Sequence, residues 1–342
     1  MKILQVGPNS VHVTRYIKAI HSPEFKQYLL SESINKEVSI EEQFAVKVHT
    51  LNPFKVAEFY KKIKQIIHKI QPDIIHIHQV NRMAYFVSKI AKTLKIPVVT
   101  TAWGSDVLLM PGKNRFYYFL VRKTIERSMI ITADALEMIS AMQKMVPSAN
   151  KYELIQYGID PIVASEKEKM IYSNRLHEPL YKIDQIIRHF YEFIQENLDW
   201  TLSIGAEGSE TRKLKALVHD LGIENKVQFL GWLDNEKNKE IYAKAAVYIS
   251  IPESDGTSVS LLEAMSAGCI PIVSDLPSNR EWIQDGKNGV IAKANMNPFE
   301  NAIQLDLDNL TQINQQLIQE NATRKASVLK FISFYQKAIH GK

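Results

Sequence analysis

The chain has a single cysteine, and it lacks other features that define particular protein classes. Cys269 cannot form an intrachain disulfide, and its place in an apolar run predicts a small buried residue rather than a nucleophile. No window approaches 18 consecutive apolar residues, which argues against a transmembrane helix. Residues 1–7 are short and lead into polar residues, so they predict a first β-strand, not a signal peptide, and a cytoplasmic protein.

Internal repeats and low-complexity tracts are absent too, and the composition is that of a globular protein. Hydrophobic residues make up 45% and charged residues 23% of the 342 positions. This length predicts two domains. The net charge of +5 is unevenly spread, because residues 1–165 carry 22 Lys and Arg against 13 Asp and Glu. A basic first half predicts an anionic partner, which could be a membrane surface, a phosphorylated acceptor or nucleic acid; no nucleic-acid-binding motif accompanies the charge.

Apolar strands alternate with amphipathic helices along most of the chain. The pattern predicts a strand–helix series before residue 160, a polar linker over residues 160–169, and a second series from Met170. This is typical of two parallel, doubly wound α/β sheets. The strands are predicted at 2–6, 44–50, 73–78, 97–102, 129–133, 152–156, 170–173, 200–204, 227–230, 247–251, 270–274 and 289–291.

Residues 249–268 predict a strand, a polar turn and a helix that together bind an anion. Residues 248–251 are apolar, residues 254–257 have turn chemistry, and residues 258–267 have helical spacing followed by Gly268. The backbone N–H groups of residues 256–259 would lie unpaired at the helix start, where a phosphate is favoured. Glu263 would lie on the same helix face, about 7–9 Å further along. A plain βα unit with a solvated turn is the alternative for this stretch alone.

Asp255, seven residues, and then Glu263-Ala-Met-Ser-Ala-Gly268 resembles the signature of the retaining glycosyltransferases of family 4, in which the first position is more often Glu. Strand ends similar to the family's follow in order along nearly the whole chain, at residues 72–78, 96–106, 157–160 and 229–232. The resemblance implies the GT-B fold, an α/β architecture of two Rossmann-like doubly wound domains facing each other across a cleft. Residues 1–162 would bind the acceptor, residues 163–324 the nucleotide sugar, and a helix at about 325–342 would pack back on the first domain.

The same resemblance implies a donor site and a reaction. Arg175 and Lys182 would bind the donor phosphates, Asp255 would face the transferred sugar, and Glu263 would accept from the ribose hydroxyls. A UDP-sugar is the favoured donor. Neither acid is expected to be a covalent nucleophile, because front-face displacement is the implied mechanism, although double displacement stays open. Further donor-binding residues would be Gly205, Gly231, Gly256, Thr257, Ser258 and Val259.

No metal or other cofactor is expected. The family uses none, and the sequence has no Asp-x-Asp motif at a strand end near the site. His76 and His78 share a strand face and suggest a metal pair, but no third ligand is evident.

The acceptor would be a saccharide or a lipid-linked molecule. The first βα loop, Asn9-Ser-Val-His12-Val-Thr-Arg15, resembles that of a subgroup of the family, and His12 and Arg15 would position an anionic acceptor; hydrogen bonding at the helix start is the alternative. Trp103 and Asp106, in Trp-Gly-Ser-Asp, complete the expected acceptor site, with Trp103 where many members have His.

Two helical stretches combine basic residues with aromatic or aliphatic ones, which suits attachment to the inner face of the plasma membrane. The first spans residues 59–69 and the second residues 115–127. Core-facing helices with solvated basic faces are the alternative. The sequence therefore predicts a peripheral glycosyltransferase of bacterial surface-polysaccharide or glycolipid synthesis, the alternatives being a GT-B nucleotide-sugar epimerase and a non-catalytic nucleotide-sugar-binding subunit.

Overall fold

The computed structural model describes residues 1–47, 53–148, 151–293 and 296–340. The chain forms two compact units, Met1–Tyr157 with Arg324–Lys342 and Gly158–Thr323. The chain leaves the first unit after Tyr157, whereas the sequence predicts the boundary after residue 162. Within the described ranges, no helix is long and apolar enough to cross a membrane.

The first unit is built on a parallel sheet of seven strands in the order β3-β2-β1-β4-β5-β6-β7. The last helix of the chain, α15 (Arg324–His340), belongs to this unit. Its other elements are β1 (Lys2–Val6), α1 (Val11–Ala19), β2 (Lys26–Ser31), β3 (Glu42–Ala45), α2 (Pro53–Ile70), β4 (Ile74–His78), α3 (Arg82–Leu94), β5 (Val98–Thr101), α4 (Ser105–Leu108), α5 (Met110–Lys113), α6 (Arg115–Arg127), β6 (Ile130–Ala133), α7 (Leu136–Met145) and β7 (Tyr152–Leu154).

The second unit has a parallel sheet of six strands in the order β10-β9-β8-β11-β12-β13. A single 3₁₀ turn, Pro179–Tyr181, precedes its first helix. The elements are β8 (Glu168–Ser173), α8 (Ile183–Phe193), β9 (Thr201–Gly205), α9 (Thr211–Asp220), β10 (Val227–Gly231), α10 (Asn235–Lys244), β11 (Ala245–Ser250), α11 (Val259–Ser266), β12 (Ile270–Ser274), α12 (Pro277–Arg280), β13 (Val290–Ala292), α13 (Pro298–Ala302) and α14 (Leu307–Asn321).

Both sheets are covered on both faces, as the strand sequences require. In β11, Val247 and Ile249 pack in the cluster that contains α8, whereas Tyr248 between them packs with Leu261 and Leu262 of α11. Successive strand residues point to opposite faces, so a strand buried on both sides is apolar at most of its positions. This is why the strand predictions from apolar runs are confirmed within one or two residues for most of the sheet.

Two strands differ from the predictions: one was missed, and one was predicted over a range that extends beyond the described residues. β2 was not predicted, because its buried Gln27, whose Nε2 donates to the carbonyl of Ile17, interrupts the apolar run. The strand predicted over residues 44–50 is observed as Glu42–Ala45, and residues 48–50 lie outside the described part of the chain.

Candidate active site

Two neighbouring strands of the second unit bring the predicted phosphate-binding arginine beside the acidic motif. β8 and β11 pair in parallel, with Tyr172 opposite Tyr248. The segments that follow them therefore leave the same edge of the sheet side by side. Arg175 lies in the first segment and Asp255 in the second.

Arg175 is held by three contacts. Its Nη2 donates to Asp255 Oδ2 at 2.6 Å, and its Nη1 donates to Ser258 Oγ. The guanidinium carbon lies 4.5 Å from the centroid of the Tyr181 ring, a cation–π contact. The Arg175 and Asp255 side chains are only 12% and 20% exposed, so water screens this pair little. The guanidinium is fixed in a plane suited to bidentate binding of phosphate oxygens.

The helix start predicted at residue 258 is present. Ser258 is the N-cap of α11, but its side chain makes no capping hydrogen bond, and its hydroxyl accepts from Arg175 instead. A helix start of this kind presents backbone N–H groups to an anion. The turn before them is fixed, since Thr257 Oγ1 accepts from Trp282 Nε1 at 3.2 Å and the Asp255 carbonyl accepts from Ser278 Oγ at 3.0 Å. Sequence reasoning gave no role to Trp282 or Ser278.

Lys182 follows the 3₁₀ turn and has a left-handed backbone, with φ of 51°. Its Nζ lies 3.4 Å from Glu253 Oε1, and the two side chains are 30% and 63% exposed. Lys182 also lines a cavity of about 510 Å³ between α8 and the ends of β11, β12 and β13. Other lining residues include Arg188, His189 and Lys293 together with the acidic Glu192, so basic side chains outnumber acidic ones. Lys182 is thus part of a positively charged surface beside Arg175.

Glu263 is 6% exposed in α11. Burial, with smaller contributions from Tyr248 and from the negative charge of Glu263, raises the pKa of both Tyr172 and Tyr242. Asn174, adjacent to Arg175, donates to the Tyr242 hydroxyl at 2.8 Å. The tyrosines were not predicted as part of the site, although Tyr172 on β8 and Tyr248 on β11 lie next to it, with Tyr242 on α10.

The glycine-containing loop after β9 packs against the segment that carries Arg175. A Cβ at Gly205 would lie 3.0 Å from the Tyr172 hydroxyl, so no larger residue fits without a shift. His177, 1% exposed, joins the two segments through Nε2 to the Gly205 carbonyl at 3.2 Å and Nδ1 to Thr211 Oγ1 at 2.8 Å. Gly231, with φ of 64°, ends the neighbouring strand β10, and Trp232 after it is 68% exposed. The exposed Trp232 ring could therefore stack on a ligand at this edge of the sheet.

The first unit brings together some of the predicted acceptor residues. The His12 and Trp103 rings make an edge contact with centroids 5.4 Å apart, and Trp103 Nε1 donates to the Tyr157 hydroxyl at 2.6 Å. Arg15 is half-buried in α1. Asn9 is instead used within the fold, because its Nδ2 donates to Ser33 Oγ and the Ile34 carbonyl, each at 3.2 Å.

Asp106 faces inward, not toward an acceptor. It is 3% exposed, and its carboxylate accepts from the backbone N–H of Val80 at 2.7 Å and of Trp103 at 3.0 Å. Burial raises its pKa to about 6, against the lowering effect of these bonds. Asp106 therefore joins two strand-end loops and positions Trp103.

The strand face of His76 and His78 is engaged in hydrogen bonds. His76 pairs with the Tyr335 hydroxyl at 2.6 Å and Thr101 Oγ1 at 2.7 Å, and His78 with the Tyr157 hydroxyl at 3.2 Å and Gln5 Oε1 at 2.9 Å. All four ring nitrogens thus have oxygen partners. Among the described residues, no group of three or more His, Cys, Asp or Glu could hold a metal ion.

Comparisons with known proteins find related sequences over most of the chain. A family model described as glycosyl transferases group 1 matches residues 160–324, and one described as glycosyl transferase 4-like matches residues 2–135. The N-acetyl-α-D-glucosaminyl L-malate synthase of Bacillus anthracis is 24% identical over 267 residues, 71% of this chain and 69% of the relative. The putative glycosyltransferase EpsD of Bacillus subtilis (strain 168) is 23% identical over 313 residues, 82% and 81% of the two chains.

Solved structures share the fold. Anabaena Alr3699/HepE in complex with UDP and glucose is similar with a TM-score of 0.81 at 14% identity, over 98% of this chain and 99% of that one. A sucrose-phosphate synthase from Thermosynechococcus elongatus has a TM-score of 0.79 at 13% identity, with 100% of both chains covered.

Proposed function

Because the chain belongs to the group 1 glycosyl transferases, with the GT-B fold, we propose that it is a retaining enzyme that moves a sugar from a UDP-sugar to a saccharide or lipid-linked acceptor. The acceptor would serve bacterial cell-surface polysaccharide or glycolipid synthesis. One observation carries the proposal: Arg175 is bonded to both Asp255 and Ser258 at the open start of α11. In this proposal the fixed cation and the N–H groups at the start of α11 stabilise the charge that develops on the diphosphate.

The donor diphosphate binds between Arg175, Lys182 and the start of α11 in this proposal. These groups supply positive charge that a divalent metal would otherwise provide, so the reaction is proposed to need no metal. Glu263 accepts hydrogen bonds from the ribose hydroxyls, since a carboxylate offers two oxygens to adjacent O–H donors. A uridine donor is supported by HepE, which was solved with UDP.

The sugar is transferred with retention at the anomeric carbon. The bond from that carbon to the phosphate oxygen breaks while the acceptor oxygen attacks from the same face and gives its proton to the leaving phosphate. Arg175 stabilises the charge that grows on the phosphate, which is a contribution made mainly in the transition state. Asp255 accepts from a hydroxyl of the transferred sugar, and its bond to Arg175 fixes the distance between sugar and phosphate contacts.

Calorimetry with UDP-, GDP- and ADP-sugars tests the donor. We expect the UDP-sugar to bind most tightly, and slow hydrolysis of that donor by the wild type but not by Arg175→Ala. Proton NMR of the product sugar would show the retained anomer. Binding without hydrolysis in both proteins would indicate a non-catalytic subunit, and epimerised sugar would indicate an epimerase; absence of binding by all three donors would refute the proposal.

A lipid-linked acceptor lies at a membrane, so the proposal extends to peripheral association with the inner face of the plasma membrane. The acceptor itself would meet His12, Arg15 and Trp103, which lie at the carboxyl edge of the first sheet. Arg15 suits an anionic acceptor such as a lipid-linked phosphate.

A further inference from the structure

A groove on the surface of the first unit combines exposed aromatic rings with cations. It lies along α5 and the start of α6, encloses about 610 Å³, and is lined by Arg115, Tyr118, Phe119, Arg122 and Lys123 among others. We call the exposed residues of 109–123 in this region the α6 patch.

The aromatic residues of the α6 patch are open to solvent. Phe116 is 47%, Tyr118 40% and Phe119 44% exposed, and Leu109 before them is 40% exposed. The core-facing side of α6 is formed by other residues, Leu120, Val121, Thr124 and Ile125, which are buried. The exposed rings are therefore additional to what packing of α6 requires, and adjacent exposed apolar side chains mark a binding surface.

The charge of the α6 patch has one sign. Its charged residues are all basic, namely Lys113, Arg115, Arg122 and Lys123. The acidic Glu126 follows the patch and pairs with Arg122 Nε at 2.9 Å and with Lys123 Nζ at 2.7 Å. Arg82 adds a cation above the Phe116 ring, 5.9 Å from its centroid. Cations around exposed aromatic rings complement a surface that offers negative head groups above an apolar interior.

The other basic stretch, residues 59–69 of α2, lacks this combination, although Phe54 at the start of the same helix is 86% exposed. Phe59 is 7%, Ile63 0% and Ile67 1% exposed, because they pack in the core under the sheet. Lys61, Lys62 and Lys64 remain on the solvated side of the helix. The structure thus separates two stretches that look alike in sequence.

We infer that the α6 patch docks the protein on an anionic lipid bilayer, with Phe116, Tyr118 and Phe119 at the boundary between head groups and acyl chains. Lys113 and Arg115 would contact lipid phosphates there. The inference rests on the proposed action at a membrane, and it assigns that contact to one surface and one lipid class.

Vesicle flotation of the full chain tests the inference. The vesicles contain phosphatidylcholine alone or with 30% phosphatidylglycerol, in about 50 and 500 mM NaCl, a range over which charge screening rises strongly. We expect the wild type to float only with anionic vesicles and to release at high salt. K113E/R115E and F116S/F119S should each lower the partition coefficient about tenfold or more. The matched control K61E/K62E, with the same charge change on α2, should stay within about twofold of the wild type.

Several outcomes would overturn the inference. These are no binding to anionic vesicles, equal losses for the α2 and α6 charge variants, or unchanged binding of F116S/F119S. Light scattering tests whether a second copy of the chain covers the patch instead. If the wild type is a dimer that does not bind vesicles, and F116S/F119S is a monomer, a second copy covers the patch. Donor hydrolysis is measured in parallel and should be unchanged in all variants, so failure of docking is distinguishable from failure of the proposed enzyme activity. Thermal unfolding confirms that each variant is folded.

Discussion

The guanidinium of Arg175 binds as a fork with two donor nitrogens and not only as a positive charge. Its two terminal nitrogens donate to two different residues, Asp255 and Ser258. Lysine cannot reproduce this, because its ammonium is a point charge. We expect Arg175→Lys to lower kcat for sugar transfer by about 100-fold or more, the usual cost of removing a donor to developing charge. Steady-state kinetics with the UDP-sugar identified by calorimetry measures it.

Arg280→Lys is the matched control. Arg280 also forms a forked pair with an aspartate, Asp275, but these side chains are 59% and 54% exposed. Exposed pairs contribute little, so we expect transfer rates within about twofold of the wild type. If both variants lost activity equally, the effect would belong to arginine–aspartate pairs in general and not to the site.

Glu263 and Glu253 are two acidic residues near the start of α11 that differ in burial. Glu263 is 6% exposed, whereas the Glu253 side chain is 63% exposed and its Oε1 lies 3.4 Å from Lys182 Nζ. We expect Glu263→Gln to raise KM for the donor about tenfold with kcat little changed, because ribose binding is equal in ground and transition states. Glu253→Gln should leave KM within about twofold. The reverse result would place the ribose contact at Glu253.

The buried histidines give a pH dependence whose sign follows from burial. Desolvation lowers the pKa of His78 to about 3 and also lowers that of His76. Between about pH 6.5 and 3 the unfolded chain binds protons that the folded chain does not, so the free energy of unfolding falls as the pH falls. Asp106, with a pKa of about 6, acts in the opposite direction over the same range, but it is one group against two.

NMR of the histidine rings checks this assignment. Of the ten histidines in the chain, the rings of His76 and His78 should show no titration between pH 5 and 8, as identified by their loss in His76→Gln and His78→Gln. Titration of both near pH 6.5 would mean that the ring nitrogens are open to water.

At the scale of elements, α15 completes a polar network of the first unit. The Tyr335 hydroxyl lies 2.6 Å from both the Tyr16 hydroxyl and His76 Nδ1. We expect Tyr335→Phe to lower the free energy of unfolding by about 1–3 kcal/mol, since it leaves two buried groups without this partner. Urea denaturation followed by far-UV circular dichroism measures the change. Ser333→Ala, on the exposed side of the same helix, should change it by less than about 0.5 kcal/mol.

Tyr335 also shows where sequence reasoning reaches its limit. Arg175 and Asp255 could be placed near each other because each follows a strand end, and parallel strands deliver their loops to one edge. His76 and Tyr335 are 259 positions apart, and no local pattern links them. The histidines therefore resembled metal ligands until their partners were known. For the same reason the roles of Trp282 and His177 depend on tertiary contacts that the spacing of residues does not encode.

At the scale of the whole molecule, charge and site are divided between the two units. The basic excess of residues 1–165 includes the α6 patch, whereas the clustered Arg175, Asp255 and Glu263 all belong to the second unit. The two sites lie in different compact units and share no residue. We therefore expect substitutions in the α6 patch and at the donor site to be nearly independent.

Hydrogen exchange of the full chain with UDP tests whether the donor site lies in the second unit. A ligand at about 100 times its dissociation constant stabilises the segments it holds by about 2.7 kcal/mol. We expect slower exchange in residues 174–182 and 256–263, which meet at the Arg175 contacts, and unchanged exchange in α1. ADP at the same concentration is the control and should protect less. Protection confined to the first unit, or none at saturating UDP, would contradict a donor site built from Arg175 and the start of α11.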